Sequence, residues 1–124
     1  MEWSLYQINE TSGRNVPFVS IGRGQLDFNA AACNLVNDNG QYNYVQIFTG
    51  KEKGKTVVAV KFIKTPENNS IMIKRKTQNG KVIQGMTIVN KGVVSSLFGK
   101  DGINEGMIRH KVELIEEDML KIVD

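Results

Sequence analysis

Between Tyr42 and Val89 the chain carries four runs that alternate apolar and polar residues, and the breaks between them leave few ways to fold. Tyr42–Thr49 and Thr56–Lys64 flank the turn-forming run Gly50-Lys51-Glu52-Lys53-Gly54-Lys55, while Ile71–Thr77 and Lys81–Val89 flank Gln78-Asn79-Gly80. A period of two sends successive side chains to opposite faces of a strand. Asn79-Gly80 suits a tight hairpin, because both central positions of a type I′ turn need positive φ and these two residues tolerate it. Thr65-Pro66-Glu67-Asn68-Asn69 breaks the pattern between the two hairpins. Two antiparallel hairpins are therefore expected in the middle of the chain, with everything else packed around them.

The flanks add shorter elements. Trp3–Ile8 alternates as a strand does, Thr11–Asn15 reads as a loop, and Phe18–Gly22 as a second strand. Asp27–Val36 predicts a short helix, with Asp27 and Asn29 as capping candidates ahead of an alanine run, ending by Asn39-Gly40. Beyond the hairpins, Asn90 is placed to cap a helix over Lys91–Phe98 that Gly99 stops. After a Gly102–Gly106 loop, strands at Arg109–Ile115 and Met119–Val123 are joined by Glu116-Glu117-Asp118. The order is strand, strand, helix, strand, strand, and then the same again. The expectation is a single α+β domain over 1–124, mainly antiparallel β with two short helices, in pseudo-repeats 1–64 and 70–124.

Charge and composition narrow the function classes. The net charge of +3 is unevenly spread: 41–111 is rich in lysine and arginine, whereas Glu113, Glu116, Glu117, Asp118 and Asp124 face only Lys121. That asymmetry suits a polyanionic partner as well as a lysine-rich solvated surface. No stretch approaches the roughly 18 apolar residues of a membrane span, and Met1-Glu2-Trp3 does not open a signal peptide, so a cytoplasmic protein without membrane contact is expected. Cys33 is the one cysteine. It can form neither an internal disulfide nor a thiolate cluster, and its alanine and leucine neighbours make it a buried thiol.

The chemistry-bearing motifs fail on inspection. Gly50-Lys51-Glu52-Lys53-Gly54-Lys55-Thr56 has one residue too few for a phosphate loop, and it leads into a strand instead of a helix N-terminus. Gly22-Arg23-Gly24 begins a dinucleotide fingerprint that Asp27 leaves incomplete. His110 has no second histidine or cysteine to make a metal site or a nucleophilic triad. Glu116-Glu117-Asp118 reads as a solvated tip. Neither a catalytic site, a cofactor nor a metal is expected.

The central strands carry the one constellation of interest. If Val45 and Ile47 on one strand and Val58, Val60 and Phe62 on the next face the core, then Tyr44, Gln46 and Phe48 face the other way, with Lys61, Lys74 and Lys76. Rings interleaved with lysines are what a single-strand binder uses, the rings stacking on bases and the cations meeting phosphates. Tyr44 and Phe48 are the expected stacking residues, and Lys61, Lys74, Arg75, Lys76 and Lys81 the phosphate contacts. The alternative is that Tyr44 and Phe48 lie under a helix.

The element order resembles the Whirly and coactivator-type single-strand DNA-binding folds, in which four strands and a helix are repeated; here two strands precede the first helix and two follow the second. Gly24-Gln25-Leu26-Asp27-Phe28-Asn29-Ala30-Ala31 also looks like a pattern of small phage and mobile-element proteins. The resemblance implies a non-enzymatic single-stranded nucleic-acid-binding protein of phage or mobile-element origin, acting as a homodimer. The competing expectation is a protein-interaction module, such as a phage inhibitor of a host defence or transcription protein.

Overall fold

The structure is a computed structural model that describes residues 2–5 and 16–123. Eight strands follow one another as β1 (Phe18–Gly22), β2 (Gln25–Phe28), β3 (Tyr44–Glu52), β4 (Lys55–Ile63), β5 (Ser70–Gln78), β6 (Lys81–Val89), β7 (Ile108–Glu116) and β8 (Met119–Val123). Helix α1 (Ala30–Leu35) separates β2 from β3, while α2 (Lys91–Phe98) and α3 (Lys100–Ile103) separate β6 from β7.

Every strand pairing is antiparallel, and the strands close into a barrel in the order β1-β2-β6-β5-β3-β4-β8-β7, with β7 returning to β1. This corrects the expected α+β class. Strand takes 53% and helix 16% of the described residues, too little helix to form a layer over a sheet. At 1.5 Å per residue α1 is only about 9 Å long, enough to plug a barrel end. Alternation along a strand reports which side chains face inward, but not whether the last strand meets the first; that depends on pairings between residues far apart, such as Ile21 with Ile108.

Two local expectations also change. Residues 2–5 form no strand, and the rest of the expected Trp3–Ile8 strand lies outside the described residues. Gln25–Phe28 is a strand, so Asp27 sits within β2 and Asn29 alone caps α1. Gly22-Arg23-Gly24, which in the sequence reads only as the start of a dinucleotide fingerprint, makes the β1–β2 turn, with Arg23 and Gly24 at φ of 54° and 72°. Lys53-Gly54 and Asn79-Gly80 repeat this pair of positive φ values at the β3–β4 and β5–β6 turns. Three hairpins thus use two-residue turns of the kind that matches strand twist.

Inward-facing residues fill the barrel. Val19, Ile21, Leu26, Phe28, Val45, Val60, Phe62, Met86, Ile88 and Leu120 have essentially no exposure. Phe62 is central: Phe28 meets its ring edge-on at 5.3 Å, and Tyr42 tilts against it at 5.9 Å. Because β2 and β6 run antiparallel, with Gln25 opposite Val89 and Phe28 opposite Met86, the helices leaving them lie at opposite ends of the barrel. Ala32, Cys33 and Val36 complete the core at one end and Val94 of α2 at the other. Advancing every strand by four places, β1 to β5 and so on round the chain, leaves each strand's neighbours unchanged.

Asn29 and Asn90 both begin helices, but they are not equivalent. Asn90 Oδ1 accepts the Val93 N–H at 3.1 Å. Asn29 Oδ1 accepts the N–H groups of Ala32 (2.9 Å) and Phe18 (3.1 Å), and its Nδ2 donates to the Val16 carbonyl at 2.7 Å, so one side chain caps α1 and holds the chain entering β1. A lost cap costs about 1 kcal/mol and each further hydrogen bond about 1 kcal/mol more. Urea unfolding should therefore show Asn90→Ala destabilising by about 1 kcal/mol and Asn29→Ala by at least about twice that.

Candidate nucleic-acid interface

The β3–β4 hairpin outgrows its neighbours. The two strands pair with each other from Tyr44–Ile63 out to Glu52–Lys55, but β5 accompanies β3 only along Tyr44–Gln46 and β8 accompanies β4 only along Ala59–Lys61. Residues 47–58 therefore stand beyond both neighbours as a two-stranded arm, with Lys53-Gly54 at its tip and α2 against the inner side of its base.

The arm's outward side carries Phe48, which is 44% exposed. Opposite it sits Ala59, and the next outward position on β3 is Gly50, where an added Cβ would meet only Val57 Cγ2 at 3.8 Å. Gly50 thus leaves open space beside the ring, while Ala59 is itself covered. Lys61, opposite Gln46, lies diagonally across from Phe48 on the same face. Lys121, next to Ala59 on β8, hydrogen-bonds Glu52, and this bond raises its pKa above the ordinary lysine value. Lys51 Nζ donates to Thr56 Oγ1 at 3.2 Å.

The other expected contacts are dispersed. Because β3 lies between β4 and β5, the connection 64–69 must cross the outside of β3. It is pinned there by Asn43 Nδ2 donating to the Lys64 carbonyl at 3.2 Å and Gln46 Nε2 donating to the Asn68 carbonyl at 3.0 Å. Tyr44, between these two bonds, is half-buried beside the crossing loop, so neither expected ring lies under a helix. The loop also separates Phe48 and Lys61 from β5. Lys74 is exposed there and paired with Thr87 of β6, while Lys81 is exposed at the β5–β6 turn.

Arg75 and Lys76 are engaged within the molecule. Arg75 lies opposite the buried Met86, its Nη1 2.6 Å from Asp38 Oδ2 and its Nη2 donating to the Tyr42 carbonyl. Lys76 runs its stem over Gly85, where an added Cβ would lie 2.5 Å from Lys76 Cδ, and reaches Asp27 at 2.6 Å. Asp27 lies in β2 and Asp38 in the connection from α1 to β3, so no local pattern around 74–76 could have revealed these pairs. Among the described residues no ion pair engages Lys53, Lys55, Lys61, Lys74 or Lys81. Lys53 and Lys55 belong to the arm, yet the sequence marks them only as part of the turn-forming run 50–55, because nothing in those six residues signals that the strands continue to Glu52 and Lys55.

Two residues considered for chemistry have structural settings. His110 is half-buried on β7 opposite Val19. Cys33 is fully buried in α1, and burial, reinforced by the negative charge of Asp38, pushes its thiol pKa up to about 12. Among the described residues no three histidine, cysteine, aspartate or glutamate side chains gather so as to hold a metal ion, and no helix is long and apolar enough to cross a membrane. Comparison with protein-family models, curated proteins and solved structures finds no match to this chain.

The thiolate is the reactive form, so the native protein should be inert to a thiol-specific disulfide reagent at neutral pH and should react stoichiometrically once unfolded in guanidinium. Rapid reaction of the folded chain would contradict the burial of Cys33.

Proposed function

We propose that the outward face of the β3–β4 arm binds single-stranded nucleic acid without catalysing a reaction on it. The observation that carries this reading is Phe48: a ring 44% exposed on a strand, beside the open position at Gly50, with Lys61, which has no ion pair among the described residues, on the same face. An exposed ring costs hydrophobic free energy that burial elsewhere would recover, and a base stacked on it restores much of that. Lys61 meets a neighbouring phosphate, and the cations of the arm add salt-dependent attraction. Tyr44, half-covered by the crossing loop, borders the site. Lys74 and Lys81 belong to another part of the barrel wall and add long-range attraction only. Arg75 and Lys76 are spent on Asp38 and Asp27 and have no part in it.

Fluorescence anisotropy with labelled single-stranded and duplex DNA tests this. Phe48→Ala should weaken single-strand binding by about 1–3 kcal/mol, roughly five- to 150-fold, with little change in salt dependence. Lys61→Ala should lower the slope of log affinity against log salt by somewhat under one, since one phosphate contact is removed. Lys76→Ala, by contrast, should leave affinity within about twofold. Absence of single-strand binding at low salt, or equal loss from Phe48→Ala and Lys76→Ala, would refute the reading.

A further inference from the structure

The arm's departure from β8 leaves a groove of about 380 Å³ at that end of the barrel, between the free edge of β4 and the end of β8. Its β4 wall runs from Lys55 to Val58, which among the described residues pair with no strand on the β8 side. Leu97 and Phe98 of α2 and Ile122 of β8 make an apolar floor, while Lys53, Lys55 and Lys121 stand at the rim with Glu52 as the one acid. An unpaired strand edge beside an apolar floor is a template for strand addition, and the cationic rim selects an acidic segment.

This chain carries such a segment at its other end. The β7–β8 turn lies next to Phe62, whose N–H donates to the Asp118 carbonyl at 2.8 Å, at the opposite end of β4 from the arm's tip. Along β4 the turn, at Phe62, lies four residues beyond the nearest groove residue, Val58, about 13 Å at ~3.3 Å per residue. Around that turn Glu113, Glu116, Glu117 and Asp118 surround Leu114 and Ile115, which are both exposed. They are adjacent in sequence, on a stretch of β7 that β1 does not reach and where the β7–β8 register shifts between Leu114 and Glu116. β1 accompanies β7 only as far as Lys111, so among the described residues no strand pairs with Val112–Glu116 on that side. Among the described residues, the β7 edge therefore runs from Val112, opposite Ile122 of the groove floor, to the acidic turn with apolar and acidic side chains, while the β4 edge at the groove carries apolar and basic ones.

We propose that the groove beside the arm is occupied by the β7–β8 tip of a second copy of this chain, giving a head-to-tail assembly. Val112–Glu116 of one copy adds to the Lys55–Val58 edge of the next, Leu114 and Ile115 cover Val57 and the Leu97–Phe98 floor, and the glutamates meet Lys53 and Lys55. The two surfaces are different patches on different strands, so the contact is heterologous and each added copy exposes a fresh site of the same kind. Charge sets the direction, since head-to-head and tail-to-tail contacts would oppose like charges.

Sedimentation velocity on the full chain without nucleic acid tests this apart from the binding proposal. At low salt the average mass should rise with protein concentration past that of a dimer, and it should fall back towards monomer at high salt as the charges are screened. Lys53→Asn with Lys55→Gln removes the basic end, and Glu116→Lys with Glu117→Lys removes the acidic end; all four side chains are exposed. Each double variant alone should associate at least about tenfold more weakly. Mixed together they should form a one-to-one complex that grows no further, because each supplies the end the other lacks. Monomeric wild-type protein at low salt would overturn the proposal, as would a wild-type assembly that stops at a dimer, wild-type association by either variant, or a mixture that forms no complex. The salt dependence of the wild-type protein is read without any variant and holds even if one fails to fold.

Discussion

The β4–β8 seam is the constraint on which the rest of this structure depends. It joins the middle of the chain to its last strand, and its ladder runs only from Ala59–Lys121 to Lys61–Met119, with the Phe62 N–H to Asp118 carbonyl bond extending it at one end. Without it the strands would form an open sheet with two long free edges. A short ladder can close the barrel because Val60, Phe62 and Leu120 are fully buried at the seam and packed into the common core. The apolar interior holds the strands together where backbone hydrogen bonds are few.

The same shortness creates the exposed features. β3 and β4 have nine residues each, while their outer neighbours accompany them for a small part of that length. The surplus becomes the arm, whose outer half carries Lys51, Glu52, Lys53 and Lys55. Closure at one end of the seam and opening at the other also explain why the exposed ring and the groove share one end of the barrel while the acidic turn sits at the other. Two proposals thus draw on one structural fact: the arm's outward face offers Phe48 to a base, and its edge offers backbone groups to a strand.

Charge pairing shows why the basic middle of the chain is less available than its composition suggests. Arg75 and Lys76 are drawn onto Asp38 and Asp27, and Lys121 onto Glu52. Each pair joins residues from different elements, so each ties the barrel wall to a loop or to another strand. Among the described residues Lys53, Lys55 and Lys61, at the tip of the arm and along β4, are free of such pairs and add to the field around the arm.

Much of the local structure could be read from the residues. Period-two alternation placed Val45, Val58, Val60 and Phe62 inside and Phe48 outside, Asn79-Gly80 announced its turn, and Asn90 and Gly99 bounded α2. These depend on neighbours a few positions away, and short-range sterics and hydrogen bonding determine them. Barrel closure, the crossing of 64–69 over β3, the ion pairs of Arg75 and Lys76 and the split in the seam are of another kind. Each depends on where residues distant along the chain come to rest in space, and alternation carries no information about which strand will lie beside which. The chain's own pattern decided which side chains face the core; only the tertiary structure decided which outward ones are free, because that depends on the loop or acid that arrives from elsewhere to cover them.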